Sequence, residues 1–339
     1  MGPGGRDGRD EAPEKETSIV RYGGNRQGDS RSLVTALLWA GLGSVAVTGL
    51  SVIGVAMVAY GVSFAQVNGL SRPRKALVAL ACAVGLVLGL LWVQGAAAVL
   101  VKGVVDCALA WVVGSLAAGR RATVTTDYAV AAVACAAYIA IDFGFAALAG
   151  LDGAAVLTQA ISSAVDEAAS TYGLDVAAQL RSFSWLLGLL WPFGYFVLAG
   201  MNVLAGHYGG FLARGPSAGK VSWRPVAFDS PLWSVVVLIA GVALFAFGGV
   251  FGAGAQVARA IGLTCVLAVR FVFLMDGYAV LTWWFNRHGV GCLLRTLVLV
   301  VAIDLEVTFF VVSLLGLVDF WADFRHMRAG DGRSGAQGE

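Results

Sequence analysis

Charge is the scarcest property of this chain. Lys, Arg, Asp and Glu make up only 13% of its 339 residues, whereas 58% are hydrophobic. A soluble domain carries roughly 25% charged residues. The mean hydropathy of +0.79 leaves more apolar surface than a core of this size can hide. The net charge of +2 forms no basic stripe with interleaved aromatics, which excludes a nucleic-acid partner. Three histidines, at 207, 288 and 326, stand far apart, and the five cysteines form no Cys-x-x-Cys pair. Neither metal-ligand spacing nor a disulfide framework is present, and the cysteines read as small apolar packing residues. No Walker A, Gly-x-Ser-x-Gly or His-Glu-x-x-His motif occurs, so no catalytic residue, cofactor or metal is expected.

What is present is long uncharged sequence. Leu33 to Gly69 contains no ionisable acid or base, and neither does Ala76 to Val101. Hydrocarbon leaves backbone groups no outside partner, so runs this long and unalternating are helices. A crossing needs ~20 residues. Spans are predicted near 33–50, 52–69, 76–96, 98–118, 128–150, 183–206, 231–251, 257–285 and 290–317. The expected fold is an all-α polytopic transmembrane bundle of about nine spans. The count falls to eight if 33–69 forms one helix, although Gly49, Ser51 and Gly54 favour a break there.

Residues 1–32 and 329–339 read as polar, disordered tails around a membrane domain at 33–328. Residues 1–30 lack an apolar segment of the kind found in a cleaved signal. Basic loops at Arg72/Arg74/Lys75, Arg120/Arg121, Arg214/Lys220/Arg224 and Arg287 fall on one side if spans three to eight all cross. That side is expected to be cytoplasmic, with the N-terminus, in a bacterial plasma membrane. Nine spans place the C-terminus outside, against Arg325 and Arg328, which follow the last span. The opposite loop, 151–182, repeats Leu157, Ile161, Val165, Ala169 and Tyr172 at helical spacing. An amphipathic helix on the outer face is expected there, as a connector or as a cap over a cavity.

Few ionisable residues lie within the apolar runs. An ionisable group at mid-bilayer costs from ~2.5 kcal/mol upward, so it faces protein or water and often marks a pathway. Lys102 and Asp106, four apart, share a helix face and can pair. Arg270 and Asp276 point ~120° apart, and Asp304 and Glu306 ~200° apart, so neither pair closes along its own helix. One of the last two acids is expected to face Arg270 across a helix contact. With Asp142, five acids stand against two bases. The surplus carboxylates are protonated, reach water or hold a cation. These seven residues are the candidates for a solute or ion pathway. Separately, Ala36, Ala40, Ser44 and Thr48 recur every four residues, a small-residue stripe suited to close docking of another helix.

The ending Leu315-Gly316-Leu317-Val318-Asp319-Phe320-Trp321-Ala322-Asp323-Phe324-Arg325 is distinctive. Its Gly316, Asp319, Asp323 and Arg325 pattern resembles that of the YybS-like family of bacterial membrane proteins, a domain of unknown function. The span layout, the helical loop after span five and the polar positions of span eight agree. That family tends to carry uncharged amides at the positions of Arg270 and Asp276, where this chain departs from it. The family's first six spans are similar to the substrate-binding (S) component of energy-coupling-factor transporters. The resemblance implies that Ala36/Ala40/Ser44/Thr48 dock a transmembrane coupling protein and that 151–182 lies above a solute site. Three readings follow: solute binding or transport; a structural or assembly protein contacting cell-envelope partners through its helices; and a membrane-embedded enzyme, which has no sequence support.

Overall fold

The computed structural model describes residues 26–93, 97–172, 184–215 and 228–325. Within them the chain is all α, with eleven helices and no strand. They are α1 (Arg26–Val47), α2 (Ser51–Val67), α3 (Arg72–Val93), α4 (Ala97–Gly119), α5 (Val124–Leu148), α6 (Gly153–Tyr172), α7 (Ser184–Arg214), α8 (Leu232–Phe247), α9 (Ala255–Arg287), α10 (Cys292–Phe309) and α11 (Val311–Ala322). Seven helices are long and apolar enough to cross a membrane, and eight crossings result if α10 and α11 together form one. This architecture is that of a multipass membrane protein.

The expected nine spans need two corrections. Thr48, Gly49 and Leu50 break the 33–69 run, as expected, but α2 then has only 17 residues. The last span is bent rather than straight. Phe310 adopts the left-handed conformation (φ 59°), and α10 and α11 meet there at 96°. A bulky residue is strained in that region, so the turn is held by contacts elsewhere. The expected tail at 1–32 also ends earlier, because α1 begins at Arg26. The tail calls at 1–25 and 329–339, and the 173–182 part of the external segment, lie outside the described residues, as do Lys220, Arg224 and Arg328.

One bundle is formed by α1–α5 and α7, with α2 at its centre against α1, α4 and α7. Its core is small and dense: Ala36, Ala40, Val55, Val58, Ala59, Val62, Ala110 and Val113 are all essentially buried. Small residues let backbones approach closely, which drives association where lipid supplies no hydrophobic contrast. The stripe on α1 belongs to this core, and the expectation that it docks a partner is corrected. A Cβ at Gly61 of α2 would stand 2.8 Å from the Ala36 carbonyl oxygen. A Cβ on Gly85 of α3 would stand 2.9 Å from Ser44, and one on Gly89 2.7 Å from Thr48. Four-residue spacing marked a docking face, but the partners are this chain's own helices.

The second unit is α8–α11. α8 folds back on α9 through a 3-10 turn, Gly248–Gly254, and α11 packs closely on α9. At that crossing a Cβ on Gly277 would collide with the Val312 carbonyl oxygen, and one on Gly316 with that of Phe273. Both positions require glycine. The two units meet where α7 lies on α9. α6 is mostly exposed, with Val165 buried, and is tied to α5 where Gly153 touches the Phe143 ring.

Candidate functional site

Two separate centres of charge lie within the apolar helices. The first joins four helices of the N-terminal bundle. Asp106 of α4 is 5% exposed. Its Oδ1 accepts hydrogen bonds from the Tyr138 hydroxyl of α5 and from Asn202 of α7 (3.0 Å). Its Oδ2 accepts one from Ser51 (2.9 Å), the first residue of α2. Asn202 also donates to Ser51 (2.9 Å) and to the Tyr138 oxygen (3.1 Å). Each of these donors is neutral. The carboxylate is solvated by the protein, and among the described residues no cation forms an ion pair with it.

One turn along α4 and α5 lies the more open half of this centre. The Lys102 ammonium bridges both oxygens of Asp142 (2.6 and 2.7 Å). The Tyr195 hydroxyl donates to the same carboxylate. The Lys102 and Asp142 side chains keep 35% and 30% of their exposure, in contrast to the buried Asp106. Rings line the neighbourhood: Trp191 stands edge-on to Tyr195 and packs against Phe143, which in turn meets Gly153 at the start of α6. The expected Lys102–Asp106 pairing is therefore corrected. The two share a face, but Asp142 of the neighbouring helix supplies a closer carboxylate, and Asp106 is taken by hydroxyl and amide donors.

The second centre closes the C-terminal unit. Arg325 lies beyond the end of α11, with its side chain 2% exposed. Its guanidinium donates to Asp319 from Nε (3.0 Å) and Nη2 (2.7 Å), to the Phe228 carbonyl (2.6 Å) and to Asp276 of α9. Asp276 is fully buried and also accepts from Ser230 (2.8 Å). Asp319 further accepts the Phe324 backbone N–H (2.9 Å). Two carboxylates thus hold one cation, and every oxygen involved has a donor. Arg325 is spent inside the protein and does not serve as a water-exposed charge after the last helix. Asp323 takes the left-handed conformation that ends α11 and turns the chain toward this cluster (φ 44°).

Next to it, Arg270 pairs with Glu306 through Nε (2.9 Å) and Nη2 (2.8 Å), and its guanidinium lies 3.9 Å from the Phe310 ring centre. Glu306 also accepts the Ser313 backbone N–H (2.9 Å) and hydroxyl (2.5 Å). Ser313 is in the first turn of α11, and Phe310, at the cap position, has no side-chain oxygen to offer. Glu306 caps that helix end instead, where a negative charge is favourable. Of the two expected acids, Glu306 is the one that meets Arg270. Asp304 is exposed and belongs to neither cluster.

Sequence reasoning missed Ser51, Tyr138, Tyr195, Asn202, Ser230 and Ser313. One signal was available. Lys102 and Asp106 on α4 have the same four-residue spacing as Tyr138 and Asp142 on α5, and two adjacent ladders of that kind can meet rung by rung. Among the described residues, no group of three or more His, Cys, Asp or Glu is placed to hold a metal. No family model matches the chain, and no curated protein or solved structure matches it significantly.

Proposed function

We propose that this is a bacterial plasma-membrane protein that binds a small solute carrying a cationic nitrogen in the centre built on Asp106 and Asp142. The carrying observation is a buried carboxylate whose hydrogen-bond donors are all neutral, one turn from a partly exposed Lys102–Asp142–Tyr195 cluster. Two carboxylates against one ammonium leave net negative charge, which a cation relieves. Tyr195, Trp191 and Phe143 add aromatic faces, the partner that quaternary ammonium groups favour. Lys102 occupies the outer carboxylate in the free state and swings toward water when solute enters. The resemblance to the YybS-like family and to S components is part of this reading. So is a cytoplasmic N-terminus, with the basic loops inside and α6 over the site. A coupling partner would use a surface other than the α1 stripe.

The test is thermal unfolding of the detergent-extracted protein with choline, glycine betaine and tetramethylammonium. At least one is expected to raise the midpoint in wild type and not in Asp106→Asn or Tyr195→Ala. No shift with any of them, or an equal shift in Asp106→Asn, sinks the proposal. The structural or assembly reading draws support from the sealed Asp276–Arg325–Asp319 cluster, which has no opening for a solute. Copurification with envelope proteins and no response to solutes would favour it.

A further inference from the structure

The Ser51 hydroxyl is claimed by two acceptors. It lies 2.9 Å from Asp106 Oδ2 and 3.2 Å from Asn202 Oδ1, and a hydroxyl has one hydrogen to give. With Asp106 ionised, that hydrogen goes to Oδ2. The Tyr138 hydroxyl and one Asn202 N–H serve Oδ1, and the other Asn202 N–H serves the Ser51 or Tyr138 oxygen. Every hydrogen of the network is then spent, and the Asn202 carbonyl oxygen receives none from the described residues. Asn202 is fully buried, so bulk water does not reach that oxygen. A buried polar atom left without a partner costs about 1–3 kcal/mol. One added proton removes the deficit. Oδ2–H then donates to Ser51, and Ser51 donates to Asn202 Oδ1. Tyr138 and Asn202 still donate to Oδ1, and the remaining Asn202 N–H serves the Tyr138 oxygen. Every donor has an acceptor and every acceptor a donor, with no atom displaced.

The charges around the acid agree with the hydrogen count. α4 packs on α1, α2, α3, α5 and α7. On α4 itself, Lys102 stands one turn away and is held by Asp142 of α5. The other titratable groups nearby are neutral: Tyr138 and Cys135 on α5, Tyr195 on α7, Cys107 on α4 and Cys82 on α3. The last two thiols turn to Ser44 (3.5 Å) and to the Ala40 carbonyl (3.9 Å) of α1. From residue 33 to 69, across α1 and α2, no Asp, Glu, His, Lys or Arg occurs. Lys102 and Asp142 cancel, so an ionised Asp106 leaves one negative charge uncompensated among apolar helices, which is costly in hydrocarbon. A proton cancels it. The ionised form is nonetheless supported. Ser51 opens α2, whose cap residue Leu50 makes no side-chain cap, and the free N–H groups of that first turn favour a negative charge beside them. The acid is built to exist in both forms.

We infer that Asp106 holds a proton in the free protein and that a bound cation replaces it, one proton leaving as one positive charge enters. The O–H bond on Oδ2 breaks, its electron pair stays on the carboxylate, and water takes the proton. Ser51 then turns its hydrogen back to Oδ2. The centre is neutral before the exchange, with Asp106 protonated and Lys102 balancing Asp142. It is neutral afterwards, with the cation balancing Asp106. No net charge is buried at either stage. The exchange rests on the solute reading of this site, whereas the proton rests on the hydrogen and charge counts alone.

The experiment is infrared difference spectroscopy of the full-length protein in detergent at neutral pH, with choline and tetramethylammonium as probes. Wild type minus Asp106→Asn is expected to show the C=O stretch of a carboxylic acid. Saturating wild type with either probe is expected to remove that band and raise a carboxylate band. About one proton should be released per cation bound, read with a pH indicator in weak buffer. Proton and cation compete, so affinity should rise about tenfold per pH unit for as long as the acid band persists. A carboxylate in place of the acid in the wild-type-minus-Asn spectrum overturns the inference. So does an acid band that survives saturation, which would make Lys102 the source of any proton released. An affinity independent of pH while the acid band persists overturns the exchange. If neither probe binds, the exchange falls together with the solute reading, and the acid band still decides the proton. If Asp106→Asn does not fold, the probe-induced spectrum and the pH slope of wild type decide by themselves.

Discussion

The two charge centres solve the same problem in opposite ways. In the N-terminal bundle, Asp106 is held by Ser51, Tyr138 and Asn202, neutral groups from three other helices, with an exposed ion pair one turn away. In the C-terminal unit, Asp276 and Asp319 close on the Arg325 guanidinium, and the side chains of all three are nearly inaccessible. Neutral donors stabilise a carboxylate without cancelling its charge, so the first centre keeps an unspent attraction for a cation. A guanidinium held by two carboxylates and a backbone carbonyl commits four N–H bonds to fixed geometry. On the proposed reading, the first arrangement exchanges partners with a solute. The second is a lock, whose cost of desolvation is met only while every member stays in place.

Breaking the lock should have the largest effect. Arg325→Ala leaves two buried carboxylates facing each other, and a loss of about 3–5 kcal/mol is expected, read as a lower unfolding midpoint in detergent. A loss under 1 kcal/mol would show that water replaces the guanidinium and that the centre is not sealed. Gly316→Ala comes next. Its new methyl group meets the Phe273 carbonyl where α11 crosses α9, and a loss of about 2–3 kcal/mol is expected in the same measurement. Asp106→Asn should cost only about 1 kcal/mol, because an amide still accepts from Ser51 or Tyr138. Its main effect falls on the solute response. If it destabilised the protein as much as Arg325→Ala, the contrast between an open centre and a lock would fail. Lys102→Gln should change stability least, by less than about 1 kcal/mol, since its pair with Asp142 is about one-third exposed. Removing a resident cation should also strengthen binding of a cationic solute, and weaker binding would show that Lys102 contacts the solute directly.

Much of the fold could be read from the pattern of apolar runs. The break at 48–50, the helix α6 and the long helices α4, α5, α7 and α9 follow from run length and from hydrocarbon's refusal of unpaired backbone. The bend at Phe310 could not be read, because nothing local to Val301–Leu317 marks a left-handed residue. It is held by Glu306 reaching over to Ser313 and by Arg270 from another helix. The docking stripe was legible as a small-residue face and misassigned as to partner, since spacing shows which face is smooth and not what lies against it.

The candidate site was legible in its charges and illegible in its neutral members. Lys102, Asp106, Asp142, Arg270, Asp276 and Glu306 stand out because a charge in hydrocarbon demands a reason. Ser51, Tyr138, Asn202 and Tyr195 do not stand out, because a hydroxyl or amide is cheap enough to occur anywhere. By itself the sequence determined the solvent of this protein, the number of its long helices to within one or two, and which residues needed partners. Only the tertiary structure decided who those partners are. A partner is chosen by distance across helix contacts, and that distance depends on small residues such as Gly277 and Gly316, far from the charges in sequence, letting two backbones meet.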